Sequence, residues 1–368
     1  MTRRLFAFLP LAAALLLVPG ARLPVEACCP APREGQQVLN ADQTLVILWD
    51  AERKIEHFIR KATFKSEAQD FGFIVPSPTQ PELSESGGEA FSLLSRLTEP
   101  EIVRQPRPRR GGGLGCGGVR ATKTAAPEGA MLSEPEVRVL EEKLVAGFKA
   151  TVLEADTAAV LMEWLKANGY AFSPEVEAWA APYVEQKWKL TALKVAAADT
   201  QSGPRSLEAP ALRMSFQTDR PLFPYREPDS KAATAALDTR YRLLRIFFVG
   251  EARYAGALTP EEAWTGRAAW SNPLKPEQRA DLLEKLKLPA ETGPATFWLT
   301  EFEDPWPYKL APSDLYFSKA GKQATLKRPP IIEYYDSPWP DDAILYVIGV
   351  GIVLGGIVAV RRMRRAKA

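Results

Sequence analysis

The feature that most constrains this chain lies near its end. Ala343 to Val360 (AILYVIGVGIVLGGIVAV) runs eighteen residues without a charge, and Arg361, Arg362, Arg364, Arg365 and Lys367 follow at once. A run of that length sits at the lower limit of what crosses a hydrocarbon core, and a basic cluster at one end sets its orientation. The pattern predicts one C-terminal transmembrane helix over residues 343–360 and a basic cytoplasmic tail over 361–368, with everything earlier placed outside. The other end agrees. Two arginines at positions 3 and 4, an apolar Leu5 to Val18, the small Gly20 and Ala21 after it, and the modest side chains of Val25-Glu26-Ala27 before Cys28 have the form of a secretory signal peptide over residues 1–27. Cleavage before Cys28 leaves a single-pass protein. Lipidation of Cys28 is the alternative, although Val25 and Glu26 fit such signals poorly.

That topology changes how the charge is read. The chain is formally +2, but three of its 47 basic residues precede Cys28 and five form the tail, leaving 39 against 44 acidic residues, a balance of minus five. The basic character belongs to the two ends, so it makes no case for nucleic acid. About 315 residues remain between them, enough for one large or two ordinary domains. Thirty-two prolines favour turns and edge segments over long helices.

Along the chain, Gln43–Trp49, Lys54–Phe64 and Asp70–Pro76 alternate or cluster apolar residues as a strand meander would. Ala90–Leu97 is a short helix candidate. Residues 105–133 form an arginine-, proline- and glycine-rich loop or linker, with no GK[ST] ending to suggest a phosphate-binding loop. Beyond it, Lys143–Leu153 is β-like, and a helical hairpin follows. Ala158–Ala167 can be capped by Asp156 or Thr157 and stopped at Gly169, and a second helix runs from Pro174 to about Gln186 with Pro182 inside it. Trp164, Trp179, Tyr183 and Trp188 are expected in its core. Strands are read at Lys187–Ala197, Ala211–Thr218, Tyr241–Gly250 and Ala295–Phe302, and Pro221–Pro228 is a proline-bounded extended tract. The division is a β-rich part at 28–104, the linker, an α+β part at 134–328 and a juxtamembrane stalk at 329–342. The fold class is therefore α+β: an antiparallel, β-rich extracytoplasmic ectodomain with a helical hairpin, plus the transmembrane helix.

Candidate chemistry is sparse. There is no G-x-S-x-G, H-E-x-x-H or C-x-x-C, and His57 is the sole histidine, so imidazole and zinc mechanisms lack partners. The best acidic cluster is Glu301, Glu303 and Asp304, a weak catalytic or calcium candidate more readily read as a solvated strand end. No cofactor is implied. The odd set Cys28, Cys29 and Cys116 suggests a disulfide joining one of the first two to the third.

The segments ADQTLVILWD, DFGFIVPSPTQPEL, AFSLLSRL, WLKANGYAFSPEVEAWAAPYVEQKWKL and LRMSFQTDRPLFPYR, with the vicinal cysteines, resemble the DUF2330 family of exported bacterial proteins of unknown function over roughly residues 28 to 303. The resemblance implies a protein of the bacterial cell envelope, anchored in the cytoplasmic membrane, and it nominates no catalytic residue. The resulting expectation is a membrane-tethered extracytoplasmic binding or scaffold protein rather than an enzyme, with the membrane as partner through residues 343–360, an envelope protein as a further partner and no nucleic acid. The alternatives are a carboxylate-dependent hydrolase of an envelope polymer and a structural assembly factor.

Overall fold

The computed structural model describes residues 30–31, 38–40, 43–61, 64–66, 72–106, 136–170, 175–195, 211–228, 243–259, 262–305, 311–335 and 343–365. The chain divides into two compact units, Met1–Leu97 with Ser133–Leu326, and Thr98–Leu132 with Lys327–Ala368.

In chain order the elements begin with β1 (Pro30–Ala31), β2 (Val38–Asn40), β3 (Gln43–Asp50), β4 (Ile55–Arg60), β5 (Phe64–Ser66), β6 (Gly72–Ser77), β7 (Glu82–Ser86) and α1 (Glu89–Thr98). Next come β8 (Ile102–Pro106), β9 (Val137–Val145), β10 (Phe148–Ala155), α2 (Ala158–Ala167), α3 (Glu175–Glu185), β11 (Lys189–Val195), β12 (Ala211–Gln217) and β13 (Leu222–Phe223). The chain continues through β14 (Leu243–Gly250), β15 (Tyr254–Ala257), β16 (Arg267–Pro273), α4 (Pro276–Lys285), β17 (Trp298–Pro305) and β18 (Leu315–Lys319). It closes with β19 (Ile331–Tyr335) and α5 (Ala343–Arg365).

The first unit is layered around β3. QTLVILWD is buried along nearly its whole length because both of its faces are covered. Leu45, Ile47 and Trp49 point to one core, whereas Val46 and Leu48 point to another, as the period of two in a strand requires. β3 lies in a seven-stranded sheet of order β16, β17, β14, β3, β4, β12, β7. One face of that sheet packs on α1 and α4 through Phe91, Leu94, Leu282 and Leu283. The other meets a five-stranded sheet, of order β1, β6, β11, β10, β9, and a three-stranded one, of order β13, β18, β15, in a core holding Phe58, Phe73, Phe148, Phe223, Phe248 and Phe317. Each such phenylalanine, fully buried, contributes about 2–3 kcal/mol. The far face of the five-stranded sheet carries α2 and α3 through Leu161, Leu165, Trp179 and Tyr183. The result is helix, sheet, sheets, helix. At one side the two large sheets approach at their edges, where Lys143 of β9 donates to the Leu83 carbonyl of β7 at 2.7 Å and covers an acceptor that an edge would leave open.

The second unit has a two-stranded parallel pair, β8 with β19, an Arg104–Glu333 ion pair at 3.2 Å and helix α5.

Two expectations of fold class are corrected. The sheet at the heart of the first unit is mixed: β3 pairs in parallel with β14, Leu244 lying opposite Gln43 and Val249 opposite Leu48, while its other partner β4 is antiparallel. Neither strand's own pattern distinguishes the two pairings, because a strand covered on both faces is apolar either way. The second correction concerns the membrane. α5 forms over the uncharged run, but among the described residues no helix is long and apolar enough to cross a membrane. The uncharged run of that helix, Ala343 to Val360, rises roughly 27 Å at 1.5 Å per residue, against about 30 Å of hydrocarbon. The transmembrane helix, the membrane as partner through residues 343–360, the single-pass placement in a bacterial cytoplasmic membrane and the membrane-tethered functional reading all rested on that span, and they fall with it.

Candidate functional site

The acids nominated from sequence are neighbours along β17, but the strand divides them between its two faces. Successive strand residues face opposite sides, so Glu301 and Glu303 lie on the face toward the helices and Asp304 on the inner one. Glu301 is 1% exposed, and its Oε1 lies 3.0 Å from Arg245 Nε; Arg245 also reaches Glu303 at 3.6 Å. Asp304 is fully buried and accepts three hydrogen bonds, from the Tyr225 hydroxyl at 2.7 Å, Trp264 Nε1 at 2.9 Å and Thr265 Oγ1 at 3.0 Å. These are interior anchors and not a solvated strand end. Burial, with Asp304 beside it, raises the Tyr225 phenol well above its usual range. Among the described residues no group of acids, histidines and cysteines could hold a metal ion.

Asp304 belongs to a larger arrangement around Pro221–Pro228. This tract enters the sheets only at β13, so its backbone donors must be satisfied otherwise. Glu56 Oε2 accepts the Leu222 N–H at 2.8 Å. Asp314 Oδ1 accepts the Tyr225 N–H at 3.1 Å, the Arg226 N–H at 3.2 Å and the Tyr183 hydroxyl at 2.8 Å. Trp179 Nε1 donates to the Arg226 carbonyl at 2.9 Å. Side chains from two strands of the seven-stranded sheet, from α3 and from the residue before β18 thus strap one short tract. Glu56 is fully buried and its Oε1 has no hydrogen-bond partner; burial pushes its carboxyl well above the usual range, which favours the neutral acid.

The strap leads into a cleft. Where the β3–β4 turn and the end of β12 meet the end of β6 and the start of β11, the space between the sheets opens to solvent in a cavity of about 460 Å³, within the size range of small-ligand pockets. Its apolar surface comes from Trp188, Leu222 and Tyr316, and its charge from Arg53, Lys54 and Arg220 against the single carboxylate of Asp219. The Arg220 guanidinium lies 3.6 Å above the centroid of the Tyr316 ring, a stacking that fixes the cation over the aromatic wall.

Local chemistry places each group. Asp50 Oδ1 accepts the N–H groups of Glu52 and Arg53 at 3.1 and 3.0 Å, and its Oδ2 takes Arg53 Nη1 at 2.9 Å. Burial alone would raise the Asp50 carboxyl, but these hydrogen bonds and the Arg53 charge hold it below its ordinary value. The turn ends at Lys54 with φ of 53°, a left-handed conformation that costs a non-glycine residue about 1 kcal/mol. The Lys54 carbonyl then accepts the Thr218 N–H at 3.0 Å, tying the β3–β4 turn to the end of β12. The Thr79 and Thr218 hydroxyls donate to the carbonyls of Gln217 and Arg220 at 2.8 and 2.9 Å. Their protons face protein, so the cleft draws its donors from the other lining side chains, the three cations among them. Such a site suits an anion, and no thiol or imidazole lines it.

Of the other residues singled out, Trp179, Tyr183 and Trp188 are buried with α2, α3 and the five-stranded sheet, and Trp164 packs partly buried against them; Trp188 also reaches the cleft. Cys28, Cys29 and Cys116, with the disulfide expected of them, lie outside the described residues. His57 faces the helix side of the sheet and bonds Ser215 Oγ through Nδ1 at 2.8 Å, away from the cleft. The cleft itself went unrecognised in sequence because its cations come from two turns far apart. The one local sign was the charged pair Arg53-Lys54 in a hairpin turn.

Comparison with known proteins adds a family. A family model described as uncharacterized protein conserved in bacteria (DUF2330) matches residues 23–309. No curated protein matches. Among solved structures, that of baculovirus P35 aligns over 80% of this chain and 97% of its own, at 6% identity and a TM-score of 0.32, too low to carry fold or function across.

Proposed function

This chain belongs to the DUF2330 family of uncharacterized proteins conserved in bacteria, and from that premise we propose that its first unit is a non-catalytic receptor for a small organic anion. The observation that carries the reading is the cleft of about 460 Å³ with three cations, one carboxylate and an aromatic wall. Cations supply attraction and hydrogen bonds; Trp188, Leu222 and Tyr316 exclude water from one side, which strengthens both. Binding without turnover is supported by the acids: Asp304 and Asp314 are each committed to several internal donors, and a carboxylate so engaged is poorly placed to exchange protons with a substrate.

Calorimetric titration of the full chain with succinate, benzoate, glucuronate and inorganic phosphate tests the proposal. Saturable binding of at least one organic anion is expected, weakening as salt is raised and lost in Arg220→Ala. Heats that never saturate for any of them, or binding that Arg220→Ala leaves intact, would remove the cleft from consideration.

A further inference from the structure

Resting on that reading, we infer that Asp219 is a built-in competitor at the cleft, and that the ligand group it stands in for is a carboxylate. Its Oδ1 lies 2.9 Å from Lys54 Nζ, while its own side chain is 92% exposed. That position on the ammonium is where an incoming anion would be held, and it is filled by the chain itself. The backbone around it is tied on both sides, by the Thr218 N–H to Lys54 and by the Thr218 hydroxyl to the Arg220 carbonyl. The carboxylate can therefore leave Lys54 by rotation about its own χ1, with no movement of the walls. No covalent step is involved; one carboxylate exchanges for another on the same ammonium, and Asp219 passes to water.

The geometry also sets the size of the effect. An exposed pair of this kind weighs little, and the negative charge left near the cleft after displacement repels the ligand only weakly through water. Asp219 therefore tunes affinity without closing the site. A ligand with a second anionic group gains further, because Arg220 is held on Tyr316 across the same cavity.

The test is titration of the full chain with succinate and with inorganic phosphate, in the native protein and in Asp219→Asn, Asp219→Glu and Arg220→Ala. Asp219→Asn is expected to tighten succinate binding about three- to tenfold, Asp219→Glu to stay within about twofold of native because it still carries a competing carboxylate, and succinate to bind more tightly than phosphate. Unchanged affinity in Asp219→Asn, with Arg220→Ala still abolishing binding, would overturn the competitor and leave the receptor standing. Preference for phosphate would overturn the carboxylate assignment. Absence of saturable binding in both native protein and Asp219→Asn would overturn the receptor itself. Equal thermal midpoints of native and Asp219→Asn protein are expected, since Asp219 is exposed, and establish that affinity alone has changed.

Discussion

The strap and the cleft are adjacent and built from the same kinds of side chain, yet they use them oppositely. Around Pro221–Pro228, Asp304 and Asp314 are each filled with donors inside the protein. A few residues away, Arg53, Lys54 and Arg220 line a cavity that opens to solvent. The difference follows from burial. An unpaired polar group is costly where water cannot reach it and nearly free where it can, so binding capacity survives only at the mouth. Glu56, at the boundary, shows both traits: one oxygen is engaged by Leu222, the other is unpartnered and sealed in.

Breaking the strap should have the largest effect. Asp304→Ala strands the Tyr225 hydroxyl, Trp264 Nε1 and Thr265 Oγ1 at once and is expected to cost about 3–5 kcal/mol, read from the urea midpoint.

Two neighbours on β4 give the next contrast, with opposite signs. Burial, with Arg213 second and Asp50 opposing, lowers His57 to about 4 from 6.5. The unfolded chain then binds more protons between those values, and stability is lost as pH falls from about 6.5 to about 4, by up to about 3 kcal/mol. His57→Gln should flatten that limb of the stability curve. Glu56 is shifted upward by burial, so its contribution is fully present below 4.5 and is lost as pH rises through its folded value, at up to about 1.4 kcal/mol per pH unit. Glu56→Gln should match the native protein below pH 4.5 and surpass it increasingly above, as equilibrium unfolding at several pH values would report.

The smallest effect belongs to the cleft. Lys54→Gly relieves the left-handed backbone and should gain about 1 kcal/mol or less while weakening anion binding. A loss of stability there would mean that Lys54 is held for structure and would erase the contrast between strap and cleft.

Local signals in the sequence were largely sufficient for local structure. The alternating runs around Asp50 place the β3–β4 hairpin, and Thr157 caps α2 by accepting the Val160 N–H at 3.3 Å, as a hydroxyl at that position should. Pro182 proved compatible with a continuous α3 through Glu185, the tertiary packing of Trp179, Tyr183 and Val184 outweighing the missing N–H. Long-range structure was not legible. The parallel partner of β3 lies two hundred residues away, and Glu56 and Asp314 look like any surface acid until the tract they hold is seen beside them. Glu301, Glu303 and Asp304 looked like one cluster because sequence proximity hides the alternation of strand faces.

The parallel pairing of β3 with β14 has a consequence for synthesis. Residues 43–50 must wait for residues 243–250, and at about 5–20 residues per second the interval is roughly 10–40 s. Throughout it, an apolar strand shielded by its β4 hairpin on one side presents an unpaired edge on the other, as any nascent fragment ending before Leu243 must. Such an edge pairs readily with copies of itself. That edge is therefore the part of the nascent chain most open to wrong pairing until β14 arrives and covers it.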